Sequence, residues 1–269
     1  MSSSTLAGSQ SVSNRRNEAA ARLAVTWQHP HGRRHEPVGL LTCDDKGFHF
    51  KYLHRASSVE GFQPFLGFDE LYRTYSSRQL FPLFTQRIIR SGRPDFPKFL
   101  QALQLENGAS DWQILARSHG QREGDGIRVF MEPYVGEDGQ TITTFLAHGV
   151  RHRLLADSRV ESALKSLSCG DQLSLVDEPD NPVDPSAILV SSDGHVMLGW
   201  VPTVLLPYVH KVQQHGKVDV KVMQSSGPDI PPAYRLLVEL SGQVNPGHRP
   251  FDGPAWILYE DGVESKDSR

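Results

Sequence analysis

Apolar and polar residues alternate from Leu23 to Trp27, the period-two pattern of a strand with one buried face. A loop follows over Gln28–Glu36, carrying three histidines and two arginines. A strand-like run follows over Val38–Cys43, and past the turn signal Asp44-Asp45-Lys46-Gly47 apolar residues fall at every second position over Phe48–Leu53. These runs predict a compact antiparallel meander with one buried face. The spacing then turns helical over Leu80–Ile89 and Pro97–Leu105, with Pro94 and Pro97 placed to start the second helix. A short helix is expected over Trp112–Ala116 with Asp111 as its N-cap. Ser118–Gly126 reads as a loop, Ile127–Met131 as a strand, and Glu137-Asp138-Gly139 closes this half.

The second half is rich in strands, expected at Thr143–Gly149, Gln172–Val176, Ala187–Ser191, Val196–Val201, Val218–Met223 and Leu236–Leu240. Ser158 is a candidate cap for a helix over Arg159–Leu167 ended by Gly170, and Pro202 opens a second over Thr203–Gln214, closed by Gly216. Many short strands around two helices predict an α+β fold, mainly antiparallel β, with a small barrel or half-barrel here. The expected organisation is a disordered tail over 1–21, an α+β module over 22–139, a β-rich domain over 143–243 and a polar tail over 245–269.

Composition narrows the class of protein. At 269 residues, 38% hydrophobic and 22% charged, the chain has room for two globular domains. No apolar run approaches the roughly 18 residues of a membrane span, and Met1–Ala21 lacks the apolar core of a secretory signal. Cys43 and Cys169 lie far apart and fit free thiols in a cytoplasmic setting. A net charge of −3 argues against coating long duplex DNA, which needs many cationic phosphate contacts. It leaves open a small pocket that grips one or two nucleotides.

The most informative stretch is Asp177-Glu178-Pro179-Asp180-Asn181-Pro182-Val183-Asp184-Pro185-Ser186-Ala187-Ile188. Upstream stand Gly149-Val150-Arg151-His152 and the step Cys169-Gly170-Asp171; downstream stands Leu198-Gly199-Trp200-Val201-Pro202. In order and spacing this resembles the HIRAN domain, from about Thr143 to Gln243. The resemblance implies a small β-barrel that captures the free 3′ end of single-stranded DNA, in eukaryotic relatives fused to helicase-like ATPases that remodel stalled forks. It places a DNA pocket on Arg151, His152, Asn181, Val183, Asp184, Trp200 and Thr203. Chemically, Asp184 can accept a hydrogen bond from a terminal 3′-hydroxyl, a donor that interior nucleotides lack. Arg151 would hold a phosphate and Asn181 a base edge or sugar, while His152 and Trp200 offer faces for base stacking.

Three positions depart from the DNA-binding relatives. Val183 stands where they have a stacking tyrosine, His152 where they have tyrosine, and Thr203 where they have a phosphate-contacting lysine. The same residues also have structural readings. Asn181-Pro182 and Asp184-Pro185 suit ordinary Asx turns, and Trp200 sits in an apolar run that suits a core.

In the first half, Pro37-Val38-Gly39-Leu40-Leu41, Phe48-His49-Phe50-Lys51-Tyr52 and Phe81-Pro82-Leu83-Phe84 are similar to the small N-terminal subdomain of HipA-type toxin kinases. No phosphate loop or catalytic Asp/Asn loop accompanies them. This similarity implies an alternative role as a protein-interaction or antitoxin-like module docking a HipA-like kinase. A second alternative is a metal-dependent nuclease using Asp177, Glu178, Asp180 and Asp184, although no lysine accompanies them and two prolines splay them apart. His29, His31 and His35 have ligand chemistry, but the arginines beside them suit a phosphate better than a cation. The expectation is therefore a non-enzymatic DNA-binding protein without cofactor or metal, gripping single-stranded DNA or a 3′ end. Its site would be Arg151, His152, Asn181, Asp184, Trp200 and Thr203, and its further partner an ATPase/helicase or a HipA-like kinase.

Overall fold

The computed structural model describes residues 22–30, 34–122, 124–193 and 195–260. The tail expected over 1–21, His31 and Arg33 of the histidine loop, and the last nine residues lie outside them. The architecture is α+β, with antiparallel sheets throughout and six α-helices among the described residues.

Strands β1 (Arg22–Gln28), β2 (His35–Asp44), β3 (Gly47–Tyr52), β4 (Tyr75–Ser77) and β5 (Ile127–Met131) form one sheet in the order β4-β3-β2-β1-β5. The β2–β3 turn is held by Lys46 N–H donating to Asp44 Oδ1 at 2.8 Å, with Gly47 at φ 126°. Alternation along these strands was expected to give one buried face; instead both faces are covered. Leu23, Val25, Val38, Leu41, Phe50 and Val129 face an aromatic core with Tyr52, Phe62, Phe65, Phe68 and Phe84. Their neighbours Ala24, Leu40 and Phe130 join an aliphatic core that belongs mostly to the second half. Each half thus takes one face of the same sheet, the period of two being interrupted in β2 by a register shift at Val38.

Helix α1 (Pro82–Thr85) is one turn, shorter than the expected Leu80–Ile89. Arg87 explains the stop: its Nη1 donates to Leu83 O at 2.9 Å, a carbonyl the next helical turn would need, while Arg87 N–H bonds Phe84 instead. Helix α2 (Phe96–Ala102) starts with Pro97 in its first turn, as predicted. Helix α3 (Asp111–Ser118) is capped by Ser110 rather than Asp111. Ser110 Oγ accepts from Gln113 N–H, and Gln113 Oε1 accepts from Ser110 N–H at 2.7 Å, a complete capping box.

In the second half, β6 (Tyr134–Val135), β7 (Gln140–Leu146), β11 (Asp219–Ser225) and β12 (Leu236–Gln243) form a sheet ordered β11-β12-β7-β6. Strands β8 (Leu173–Asp177), β9 (Ile188–Ser192) and β10 (Val196–Trp200) form another. Single bridges tie the two sheets at both ends, Gln172 to Lys221 and His148 to Trp200. The boundary expected at Gly139 falls inside the β6–β7 hairpin, where Tyr134 pairs with Ile142. Three helices complete this half: α4 (Val150–Ala156), α5 (Arg159–Ser166) and α6 (Leu206–His215), the last preceded by a 3-10 turn at Thr203–Leu205. Ser158 holds the N-cap position of α5, as expected, but its side chain makes no cap bond; Asp157 Oδ1 accepts from Arg159 N–H at 2.9 Å instead.

Beyond β12, residues 245–260 are not a free polar tail. Phe251, 1% exposed, stacks on Trp256 at 4.3 Å, and Leu258 bridges Leu53. Arg22 pairs with Glu132 and also donates to Phe251 O, fastening this segment across the first sheet.

Candidate functional site

Strand β7 ends at Leu146, and the chain reaches α4 through His148 and Gly149. Gly149 sits at φ 69°, and a Cβ there would lie 2.5 Å from the Trp200 ring, so only glycine lets the helix start against the indole. Arg151 and His152 therefore stand on the first turn of a helix that the sequence reading did not anticipate. Both are exposed, and their side chains make no hydrogen bond or ion pair among the described residues. Arg153 faces the other way, its guanidinium 5.7 Å from the Trp200 ring and its Nε bonded to Met197 O at 3.0 Å.

Trp200 is half-buried, so it is neither a pure core residue nor a free platform. Its Nε1–H donates to Glu178 Oε2 at 2.8 Å, and the same oxygen accepts from Asn181 Nδ2 at 2.5 Å. Asn181 Oδ1 accepts from the backbone N–H groups of Val183 and Asp184, at 2.9 and 3.1 Å. Its side chain is thus the brace of the 178–186 loop, the Asx geometry that Asn-Pro favours. Val183 is half-buried within that braced loop. Thr203 is half-buried at the start of its 3-10 turn, with no side-chain hydrogen bond among the described residues.

Asp184 is 7% exposed. One oxygen is occupied: Oδ1 accepts from Ser186 N–H and Ser186 Oγ–H at 3.0 and 2.6 Å. The other, Oδ2, is buried without a hydrogen-bond donor. Arg34 Nη2 lies 3.3 Å from it, close enough for charge attraction but not aligned as a hydrogen bond. Burial alone would raise the Asp184 pKa; the Ser186 bonds, with Arg34 and His210, outweigh it and hold the carboxyl below its usual range. His210 on α6 contacts Ser186 O at 3.0 Å and closes the loop from below.

Arg34 comes from the histidine loop of the first half, so the two halves meet at Asp184. Glu36 and Arg55 extend this contact, Arg55 Nη2 lying 2.6 Å from Glu36 Oε2. Beside it, His35, His119 and His148 gather at centroid distances of 6.3 and 5.7 Å, with Phe130 against two of them. Burial, then neighbouring Arg128, lowers His35 to about 4; burial, then Arg128, Arg117 and His35, lowers His119 to about 3. His148 is pushed well below its ordinary value, mainly by burial. His35 thus joins an interior imidazole group rather than His29, which lies edge-on to Trp27.

Of the residues read from sequence, the fold joins Asn181, Asp184 and Trp200 through Glu178, and sets Arg151 and His152 on the helix started by Gly149. Arg34, Arg153 and Glu178 complete the site; the sequence pointed to Arg34 only as part of a loop suited to phosphate and to Glu178 only as a possible metal ligand, and gave no sign of Arg153. Among the described residues no three His, Cys, Asp or Glu side chains are grouped to hold a metal ion, and no helix is long and apolar enough to cross a membrane. No family model, curated protein or solved structure matches the chain.

Proposed function

We propose that this chain is a non-enzymatic DNA-binding protein that holds the free 3′ end of a single strand, in the manner the HIRAN resemblance implies. The observation that carries this reading is Asp184 Oδ2, a buried carboxylate oxygen with an acceptor site open and an arginine over it. A buried acceptor without a donor costs about 1–3 kcal/mol, and a terminal hydroxyl relieves that cost while an interior phosphodiester cannot. Arg34, half exposed, leaves the carboxylate for the last phosphate as the hydroxyl arrives. Arg151 takes the next phosphate and His152 stacks on a base. Asn181 acts by bracing the loop rather than by reading a base. Such a protein serves genome maintenance or defence against foreign DNA in the cytoplasm, with an ATPase or helicase as a natural partner.

The test is fluorescence anisotropy with labelled strands ending in a 3′-hydroxyl or 3′-phosphate, a blunt duplex and a matched RNA. The free 3′-hydroxyl strand is expected to bind at least about tenfold tighter than the phosphorylated one, the worth of one charge-assisted hydrogen bond. Equal affinity for the two ends overturns end capture.

A further inference from the structure

A cleft of about 290 Å³ opens on the first half, between the chain leaving α1 and the turn that follows α3. Four of its eight wall residues are arginines, namely Arg87, Arg90, Arg93 and Arg122, and no carboxylate lines it among the described residues. Two successive left-handed residues, His119 at φ 58° and Gly120 at φ 56°, reverse the chain after α3 and bring Arg122 to the wall shared with residues 86–93.

The four guanidinia are not equally neutralised. Arg93 is paired with Asp95, and Arg87 donates to Asp125 at 2.6 Å. Among the described residues, Arg122 bonds the neutral Gln86 Oε1, at 3.3 Å, and no carboxylate, and the exposed Arg90 makes no hydrogen bond or ion pair. Arg87 is 5% exposed, and its Nε is buried with no acceptor. A protein of net charge −3 thus sets two cations, neither with a carboxylate partner among the described residues, on one cleft, with the buried Arg87 behind them and the partly buried Ile88 and Ile89 along its wall. Planar guanidinium forks match the oxygens of tetrahedral oxyanions. The volume falls just below the roughly 300–1,000 Å³ range of small-ligand sites, which suits one or two phosphoryl groups.

We infer that this cleft is a binding site for a phosphoryl or pyrophosphoryl oxyanion, held by Arg90 and Arg122 with Arg87 fixed behind them. It is separate from the Asp184 loop and does not depend on the end-capture reading. Two sources share this chemistry: a small free phosphate compound, or the backbone of a nucleic-acid strand.

The experiment is calorimetric titration of the full chain with inorganic pyrophosphate at low salt, on wild type, Arg90→Gln/Arg122→Gln and Arg73→Gln. Arg90 and Arg122 are exposed, so the double variant is expected to keep its thermal midpoint, which is measured alongside. Saturable binding that weakens at least about tenfold in the double variant, and stays unchanged in Arg73→Gln, supports the site. Absence of saturable pyrophosphate binding, equal binding by the double variant, or equal weakening by Arg73→Gln overturns it. A competition arm then separates the sources. Displacement of a labelled single strand by pyrophosphate, lost in the double variant, assigns the cleft to a strand backbone; pyrophosphate binding with no such displacement assigns it to a small phosphate compound.

Discussion

The 178–186 loop and the first turn of α4 both adjoin Trp200, the loop at the indole N–H and the helix at the far edge of the six-membered ring. In the loop three side chains are engaged with one another and with backbone: Glu178 accepts twice, Asn181 accepts twice and donates once, and Asp184 Oδ1 accepts twice. On α4, Arg151 and His152 are exposed and uncommitted. The loop is therefore preorganised around a buried acceptor, Asp184 Oδ2, that has no donor among the described residues, whereas the α4 side chains stand exposed. A residue that looks like a ligand contact in sequence acts as a brace when its polar atoms are already satisfied within its own loop.

The largest expected effect removes the floor under both regions at once. His35 adjoins Arg34, and His148 adjoins Gly149. His35 and His119 have folded pKa values of about 4 and about 3, below the unfolded value of about 6.5. Below pH 6.5 the unfolded chain binds more protons, so stability is full above that pH and is lost as pH falls towards 4. Each histidine removes up to about 1.4 kcal/mol per pH unit in that window. Urea midpoints measured between pH 7 and 4.5 check this, and a flat profile contradicts the buried imidazole group.

Next in size, Gly149→Ala breaks only the helix side. The left-handed backbone costs an L residue about 1–2 kcal/mol, and the contact with Trp200 brings the expected loss to about 2–4 kcal/mol. Thermal or urea unfolding measures it. Asn181→Ala breaks only the loop side. It strips the acceptor from two backbone N–H groups and is expected to cost about 1–3 kcal/mol, with DNA affinity falling because the Asp184 position is no longer fixed. Smallest in stability is Arg151→Ala, expected within about 0.5 kcal/mol of wild type while strand affinity falls severalfold. A stability loss in Arg151→Ala as large as that in Asn181→Ala would erase the contrast between the two regions.

Much of this was legible in the sequence, and the misses share a cause. Strands β1, β2, β3 and β5 follow from short strand-like runs, and the Asp44–Gly47 turn from its Asp and Gly residues, because those patterns act over a few residues. The helix carrying Arg151 and His152 was not legible. Only Val150 is fully buried on it, and a run of Arg-His-Arg gives no apolar stripe. The cap of α3 moved by one residue because Ser110 and Asp111 are both good caps and only Ser110 has Gln113 three positions on. The pairing of Arg34 with Asp184 spans the two halves, and no local pattern encodes a contact at that separation. The same holds for residues 245–260, whose few apolar side chains look sparse in a polar run yet meet partners far back along the chain.

The central claim is that Asp184 Oδ2 is an acceptor reserved for a terminal hydroxyl, and one comparison tests it directly: the ratio of affinities for 3′-hydroxyl and 3′-phosphate strands, in wild type and in Asp184→Asn. With Ser186 retaining the amide oxygen, the substitution keeps the side-chain volume but turns the open position into an N–H donor. Wild type is expected to show a ratio of at least about ten, and Asp184→Asn a ratio near one with its fold intact. A wild-type ratio near one, or a ratio that survives the substitution, contradicts the account.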